Sequence, residues 1–168
     1  MKKVALSLMV LSLLAGCASQ GVTDKKAAVE DHNVGANANG VKQSDVSANP
    51  LHDPNNILSK RSVYYDFDKY DVKAEYKPMV EAHAKYLTSH GDAKATLQGN
   101  TDERGSREYN LALGQRRADG VRKMMNAMGV ANKQVEAVSF GEEKPKSDCH
   151  DESCWKENRR TDIVYQGE

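Results

Sequence analysis

Gly99-Asn100-Thr101-Asp102-Glu103-Arg104-Gly105-Ser106-Arg107-Glu108-Tyr109-Asn110, running on to Gln115-Arg116-Arg117-Ala118-Asp119-Gly120-Val121, reads as a strand end, a short polar loop and the start of a helix. Lys94 to Gln98 is the predicted strand, ended by Gly99. Ser106 is the predicted N-cap, with Glu108 favourable in the first turn, and the helix runs to Met128 before stopping at Gly129. A carboxylate (Asp102) and a guanidinium (Arg104) lie in the loop, and a second guanidinium (Arg117) lies about three turns into the helix. Fixed opposite charges at such a junction suit a small zwitterion carrying both an amine and a carboxylate. The competing reading is an intramolecular Asp102–Arg117 salt bridge, a common surface feature that is worth little.

The helix sorts these side chains by face. At about 100° per residue, Leu111, Gly114, Ala118, Val121 and Met125 form one apolar stripe, the expected core face. Asn110 and Arg117 are nearly superposed at the rim of that stripe, whereas Arg116 points to water. A guanidinium at such a rim is held by packing and partly desolvated, which strengthens its interactions. Asn110, with donors and acceptors on one side chain, is expected to pin the loop backbone together with Thr101.

Outward from this segment, Arg61 to Asp68 alternates with β-branched and aromatic residues and is the predicted first strand. Val72 to Leu87 places Val72, Tyr76, Met79, Val80, Ala84 and Leu87 at three- and four-residue steps, an amphipathic helix with Pro78 as a kink or first-turn marker. Val135 to Phe140 and Arg160 to Tyr165 are the third and fourth strands. The order β-α-β-α-β-β defines an α/β (α+β) sandwich, a mixed sheet of about four strands with the helices on one face.

The other end of the chain carries a different signal. Lys2 and Lys3 precede an apolar run from Val4 to Leu14, closed by Leu14-Ala15-Gly16-Cys17. The run is too short to span a bilayer and has the flanks of a signal peptide. Residues 1–16 are therefore expected to be a cleaved lipoprotein leader, with Cys17 lipidated by several acyl chains and serving as a durable anchor. Ala18, not aspartate, follows the cysteine and favours the outer membrane. Residues 17–56 are rich in Ala, Asn, Gly, Ser, Asp and Lys and read as a tether, leaving 57–168 as the ordered domain. Such a tether has a coil span of about 35 Å and a fully extended reach on the order of 130 Å.

The full chain balances 24 basic against 24 acidic residues, and loss of Lys2 and Lys3 with the leader tips it slightly acidic. With no net basic field to release counterions, nucleic acid is not an expected partner. Cys149 and Cys154, in Cys-His-Asp-Glu-Ser-Cys, are read as a local disulfide of an oxidising compartment. The alternative, a metal held by Cys149, His150 and Cys154, has an incomplete ligand set and no zinc-motif spacing.

Gly99 to Gly105 followed by Tyr109-Asn110-Leu111-Ala112-Leu113-Gly114-Gln115-Arg116-Arg117-Ala118 resembles the peptidoglycan-binding signature of OmpA-like C-terminal domains. The likeness is closest to the lipid-anchored branch of that family in the Tol-Pal system. Val63 to Tyr70 is similar to the family's first-strand motif, and Ser139 to Pro145 and Trp155 to Arg160 to its closing segments. The resemblance covers about residues 57 to 166. It implies that Asp102 pairs with the amine of a stem-peptide diaminopimelate and that Arg117 holds its carboxylate. Arg104 would be a second contact, and Asp68 and its neighbours the opposite wall. It further implies an outer-membrane lipoprotein facing the periplasm, without cofactor or catalysis, that tethers the membrane to peptidoglycan and serves envelope integrity and cell division. TolB would compete for the same site, and other outer-membrane Tol-Pal-linked proteins are further partners.

Two other functions compete. A cell-wall hydrolase would need an activated nucleophile or an acid/base pair, and His52, His83, His90 and His150 have no evident partners in the sequence. An accessory redox or metal lipoprotein would use Cys149 and Cys154. A porin of the same family would carry a long alternating β-barrel before this domain, and a motor stator a transmembrane helix.

Overall fold

The structure is a computed structural model and describes residues 49–167. The expected leader 1–16, the expected lipidation site Cys17 and the expected tether as far as residue 48 lie outside the described residues. Seven elements follow in chain order: β1 (Ser62–Tyr64), α1 (Lys77–Ser89), β2 (Ala95–Asn100), α2 (Arg107–Ala127), β3 (Val135–Gly141), α3 (Glu152–Asn158) and β4 (Arg160–Tyr165). The sheet order is β1-β4-β2-β3, with β4 antiparallel to both β1 and β2, and β2 parallel to β3. This is the expected four-stranded mixed sheet covered by helices, and its core lies between them. Val63, Leu97 and Ile163 from the sheet meet Val80 and Leu87 from α1 and Val121 and Met125 from α2, all fully buried.

α1 forms because Met79, Val80, His83, Ala84 and Leu87 repeat at helical spacing and bury together. Pro78 sits in its first turn, where its missing N–H leaves no intrahelical bond unmade. The helix begins at Lys77, not Val72, behind a single 3-10 turn at Ala74–Tyr76. α2 starts where expected: the Ser106 hydroxyl accepts from the Tyr109 N–H at 3.2 Å. It ends before Gly129, whose φ of 97° lies in the left-handed region.

Other expectations also need correction. β1 stops at Tyr64, because Asp66 to Lys69 form a turn in which Asp68 takes a φ of 57°. β2 runs through Gly99 to Asn100; the glycine is there to let α2 approach, not to end the strand. The stretch between β3 and β4 contains α3, capped by Asp151, which accepts from the Ser153 N–H at 2.8 Å. Leu111 is half exposed and Leu113 takes its place in the core, so the buried stripe of α2 is rotated relative to the expected one.

Residues 51–56, assigned by composition to the tether, pack on the domain. Leu51 is buried, its carbonyl accepts from Arg61 Nη2 at 2.8 Å, and Asn56 caps the 3-10 turn Ile57–Ser59. Among the described residues, no helix is long and apolar enough to cross a membrane. Nor do three or more His, Cys, Asp or Glu side chains converge there to hold a metal ion.

Candidate functional site

The C-terminal end of β2 delivers Asn100, Thr101 and Asp102 to a pit between the 66–69 turn, the first turns of α2 and the α3–β4 junction. The Thr101 N–H donates to the Gly141 carbonyl at 2.8 Å, tying the loop to the end of β3. Gly105, with a φ of 111°, turns the chain into α2, a conformation that L side chains resist. Asn110 is buried, and its Nδ2 donates to the Arg104 carbonyl at 3.3 Å and to the Glu142 carboxylate. It therefore pins the loop, as its donors and acceptors suggested.

The resulting cavity has a volume of about 190 Å³, and Asp68, Thr101, Asp102, Arg104, Asn110 and Arg117 all line it. Every binding or positioning residue singled out in this segment of sequence thus reaches one pit. Five further residues in its wall were given no site role: Phe67, Gly105, Tyr109, Leu113 and Arg159. Arg159 lies 57 positions from Asp102, and its doublet with Arg160 just before a strand is the sequence signal it leaves.

Asp102 and Arg117 do not form a salt bridge. Asp102 Oδ2 accepts from Arg104 Nη2 at 2.6 Å and from Arg159 Nη1 at 3.1 Å, while Oδ1 accepts from the Arg104 N–H at 3.1 Å. Burial works to raise the Asp102 pKa, but the hydrogen bonds from Arg104 and Arg159 outweigh it and hold the carboxyl below its usual range. Arg159 is buried, donates through Nε to the Tyr65 carbonyl at 3.1 Å, and pairs with Glu152 through Nη2.

Arg117, expected at a rim, is fully buried. Its Nε donates to the Lys69 carbonyl at 2.8 Å, Nη1 to the Asn100 carbonyl at 2.8 Å, and Nη2 to the Asp66 carbonyl at 3.4 Å. These bonds explain the position: the guanidinium staples the turn after β1 to the end of β2. They use three of the five N–H donors of a guanidinium and neutralise none of its charge. Burial lowers its pKa to about 10, so it remains cationic at neutral pH. No carboxylate among the described residues is ion-paired to it.

The rim is aromatic and charged. The Arg104 guanidinium lies between the Phe67 ring at 4.1 Å and the Trp155 ring at 4.0 Å. Glu103 faces away from Asp102: its carboxylate accepts from Trp155 Nε1 at 2.8 Å and meets His150 Nδ1 at 2.8 Å, and these bonds lower its pKa. Asp68 accepts from the Tyr109 hydroxyl. Arg116 is exposed, as expected, over the Tyr70 ring. Cys149 and Cys154 are joined as a disulfide, with 5.5 Å between their Cα atoms. The histidines read as partnerless are engaged: His83 with Tyr165 and Lys60, His90 with the Tyr86 carbonyl, and His150 with Glu103.

The sequence pattern of the OmpA family matches residues 64–159, which takes in β2, β3, the three helices and every residue that lines the pit. The chain belongs to the OmpA family, in the branch formed by the peptidoglycan-associated lipoproteins. A peptidoglycan-associated lipoprotein of Pseudomonas putida is 36% identical over 163 residues, covering 96% of this chain and 95% of the relative. One from Pasteurella multocida is 49% identical over 104 residues, covering 62% of this chain and 69% of the relative. The crystal structure of the peptidoglycan-associated lipoprotein from Burkholderia pseudomallei superposes with a TM-score of 0.69 at 56% identity, over 70% of this chain and 99% of that one. The C-terminal domain of Helicobacter pylori MotB shares the fold at 18% identity, with a TM-score of 0.60 over 65% of this chain and 86% of that one.

Proposed function

We propose that this protein is an outer-membrane lipoprotein, lipidated at Cys17, that binds peptidoglycan without a covalent bond and ties the membrane to the cell wall. The ligand group is the zwitterionic end of a stem-peptide diaminopimelate: its ammonium at Asp102, its carboxylate at Arg117, with Asp68 in the facing wall. One observation carries the reading. Arg117 is a fully buried cation without an anionic partner among the described residues, in the wall of a cavity that also holds a buried carboxylate. A buried charge is costly until it is paired, so a carboxylate entering the pit gains more there than at an exposed arginine. Two N–H donors of Arg117 remain for it after the three backbone carbonyls.

The same geometry disfavours hydrolysis. A general acid needs a raised carboxyl pKa, and hydrogen bonds hold both Asp102 and Glu103 below the usual range. TolB, the periplasmic partner of the family branch, is proposed to compete for this face, in line with a role in the Tol-Pal system at envelope integrity and division.

Binding to purified sacculi and to a diaminopimelate-containing tripeptide tests the assignment. Asp102→Ala and Arg117→Lys are each expected to weaken binding by about tenfold or more, since the first leaves the ligand ammonium unmatched and the second removes the fork that grips the ligand carboxylate. Wild-type affinity in both variants would overturn the assignment. The lysine variant keeps the buried charge but loses the guanidinium fork, so a normal melting profile separates lost binding from lost folding.

A further inference from the structure

Asp102 is the proposed seat of the ligand ammonium, yet without ligand both of its oxygens are occupied by arginines. The two arginines are held very differently. The Arg159 side chain is 5% exposed, and its guanidinium also donates to the Tyr65 carbonyl and to Glu152. The Arg104 side chain is 32% exposed and holds Asp102 as a fork, with Nη2 on Oδ2 at 2.6 Å and Nε on Oδ1 at 3.3 Å. A second carboxylate, Glu152 Oε2, lies 3.6 Å from that same nitrogen. Arg104 also sits in a slot between Phe67 and Trp155, whose ring centroids are 4.1 and 4.0 Å away, so it can shift toward Glu152 while staying stacked.

We propose that Arg104 is an internal stand-in for the ligand's ammonium, and that Glu152 is the acceptor to which Arg104 transfers when ligand enters. The inference rests on the assignment of the ligand ammonium to Asp102. Its physical basis is charge crowding. With Arg159 fixed, an incoming ammonium would be the third cation on one buried carboxylate unless Arg104 leaves it, and like charges at contact in a pit of reduced dielectric repel strongly. Glu152, exposed and at the N-terminus of α3, receives the displaced guanidinium without losing its own bond to Arg159. Asp102 thus stays charge-paired in both states, and an anionic ligand end alone has no means to trigger the exchange.

The exchange reverses the sign expected for a ligand contact. Calorimetric titration of the full chain with meso-diaminopimelate and with the tripeptide reads it directly. Arg104→Met keeps the stacked aliphatic stem and removes the competitor, so binding tightens, by roughly threefold to tenfold. Glu152→Gln removes the acceptor, so binding weakens by roughly the same factor, while Glu152→Asp restores most of the affinity. In the Arg104→Met background, Glu152→Gln has no further effect, because nothing remains to be displaced. In the wild type, ligand addition also shifts the Arg104 Nε–Hε resonance, and Glu152→Gln suppresses that shift.

Weaker binding by Arg104→Met would make Arg104 an ordinary ligand contact and overturn the exchange. A Glu152→Gln effect that persists without Arg104 would place Glu152 behind Arg159 and overturn it as well. Asp102→Asn separates the two levels. If it abolishes binding while either of those results is obtained, the exchange fails and the ligand assignment stands; if it binds as the wild type does, the assignment itself falls.

Discussion

His83 shows how a single side chain can mislead when its surroundings are unknown. On the sequence it is one of several histidines without a visible partner; in the fold it is fully buried, with Nε2 donating to the Lys60 carbonyl at 2.8 Å. That bond sets the neutral tautomer, so Nδ1 accepts from the Tyr165 hydroxyl at 2.9 Å. Burial, assisted by the charge of Arg61 and opposed by the Lys60 hydrogen bond, lowers the His83 pKa below its ordinary 6.5. As pH falls through about 6.5, the unfolded chain takes up this proton while the folded ring stays neutral, so stability falls. Denaturant unfolding between about pH 8 and pH 5.5 should show this loss, and His83→Gln, though less stable at the upper end, should flatten it. An unchanged slope in the variant would mean that His83 is not the group responsible. The proposed ligand residues were easier to read than this histidine. Asp102 and Arg117 share one strand–loop–helix segment, where charge placement alone suggests a pair of opposite anchors. Arg159 comes from the far end of the domain, and no local pattern announces which carboxylate it will meet.

At the scale of elements, strands and helices whose apolar spacing is regular were legible, and their ends were not. β2 illustrates the reason. Gly99 reads as a strand terminator, but a Cβ built there would lie 1.9 Å from the Gly114 carbonyl oxygen, and one on Gly114 would lie 2.3 Å from Ser139 Oγ. The pair allows the backbone of α2 to cross β2 at contact distance, which seats Arg117 against the Asn100 carbonyl. Gly99→Ala must push the helix away, because its clash is with backbone that cannot rotate aside. The expected cost is on the order of 3 kcal/mol, read as a lower midpoint in thermal or denaturant unfolding. A midpoint equal to the wild type would show that the crossing has slack. α3 escaped the sequence for a different reason. It has seven residues, too few for periodicity to register, and its first turn lies within a short disulfide-closed stretch that reads as plain loop. Its stability comes from the Asp151 cap and from tertiary contacts such as Trp155 with Glu103.

For the molecule as a whole, the sheet order explains why the pit exists only in the finished fold. Placing β4 between β1 and β2 brings the turn after β1 and the residue before β4 to the same end as Asp102. Phe67, Asp102 and Arg159 thereby meet across nearly the whole length of the domain. The residues that line the pit all fall between 67 and 159, far along the chain from the proposed anchor at Cys17. Leu51 already packs into the core, so the domain is closed off before the proposed tether and lipid are reached. Attachment and binding should therefore separate cleanly. Cys17→Ser removes the thiol that would carry the acyl chains, and without several chains no durable hold on a bilayer remains. The full chain with this substitution, expressed with its leader intact, is expected to leave the membrane fraction and yet to bind purified sacculi as tightly as the wild type. Retention in washed membranes stripped of peptidoglycan would show that something other than Cys17 holds the protein there. Loss of sacculus binding by a variant that melts normally would show that the anchor and the pit are not independent.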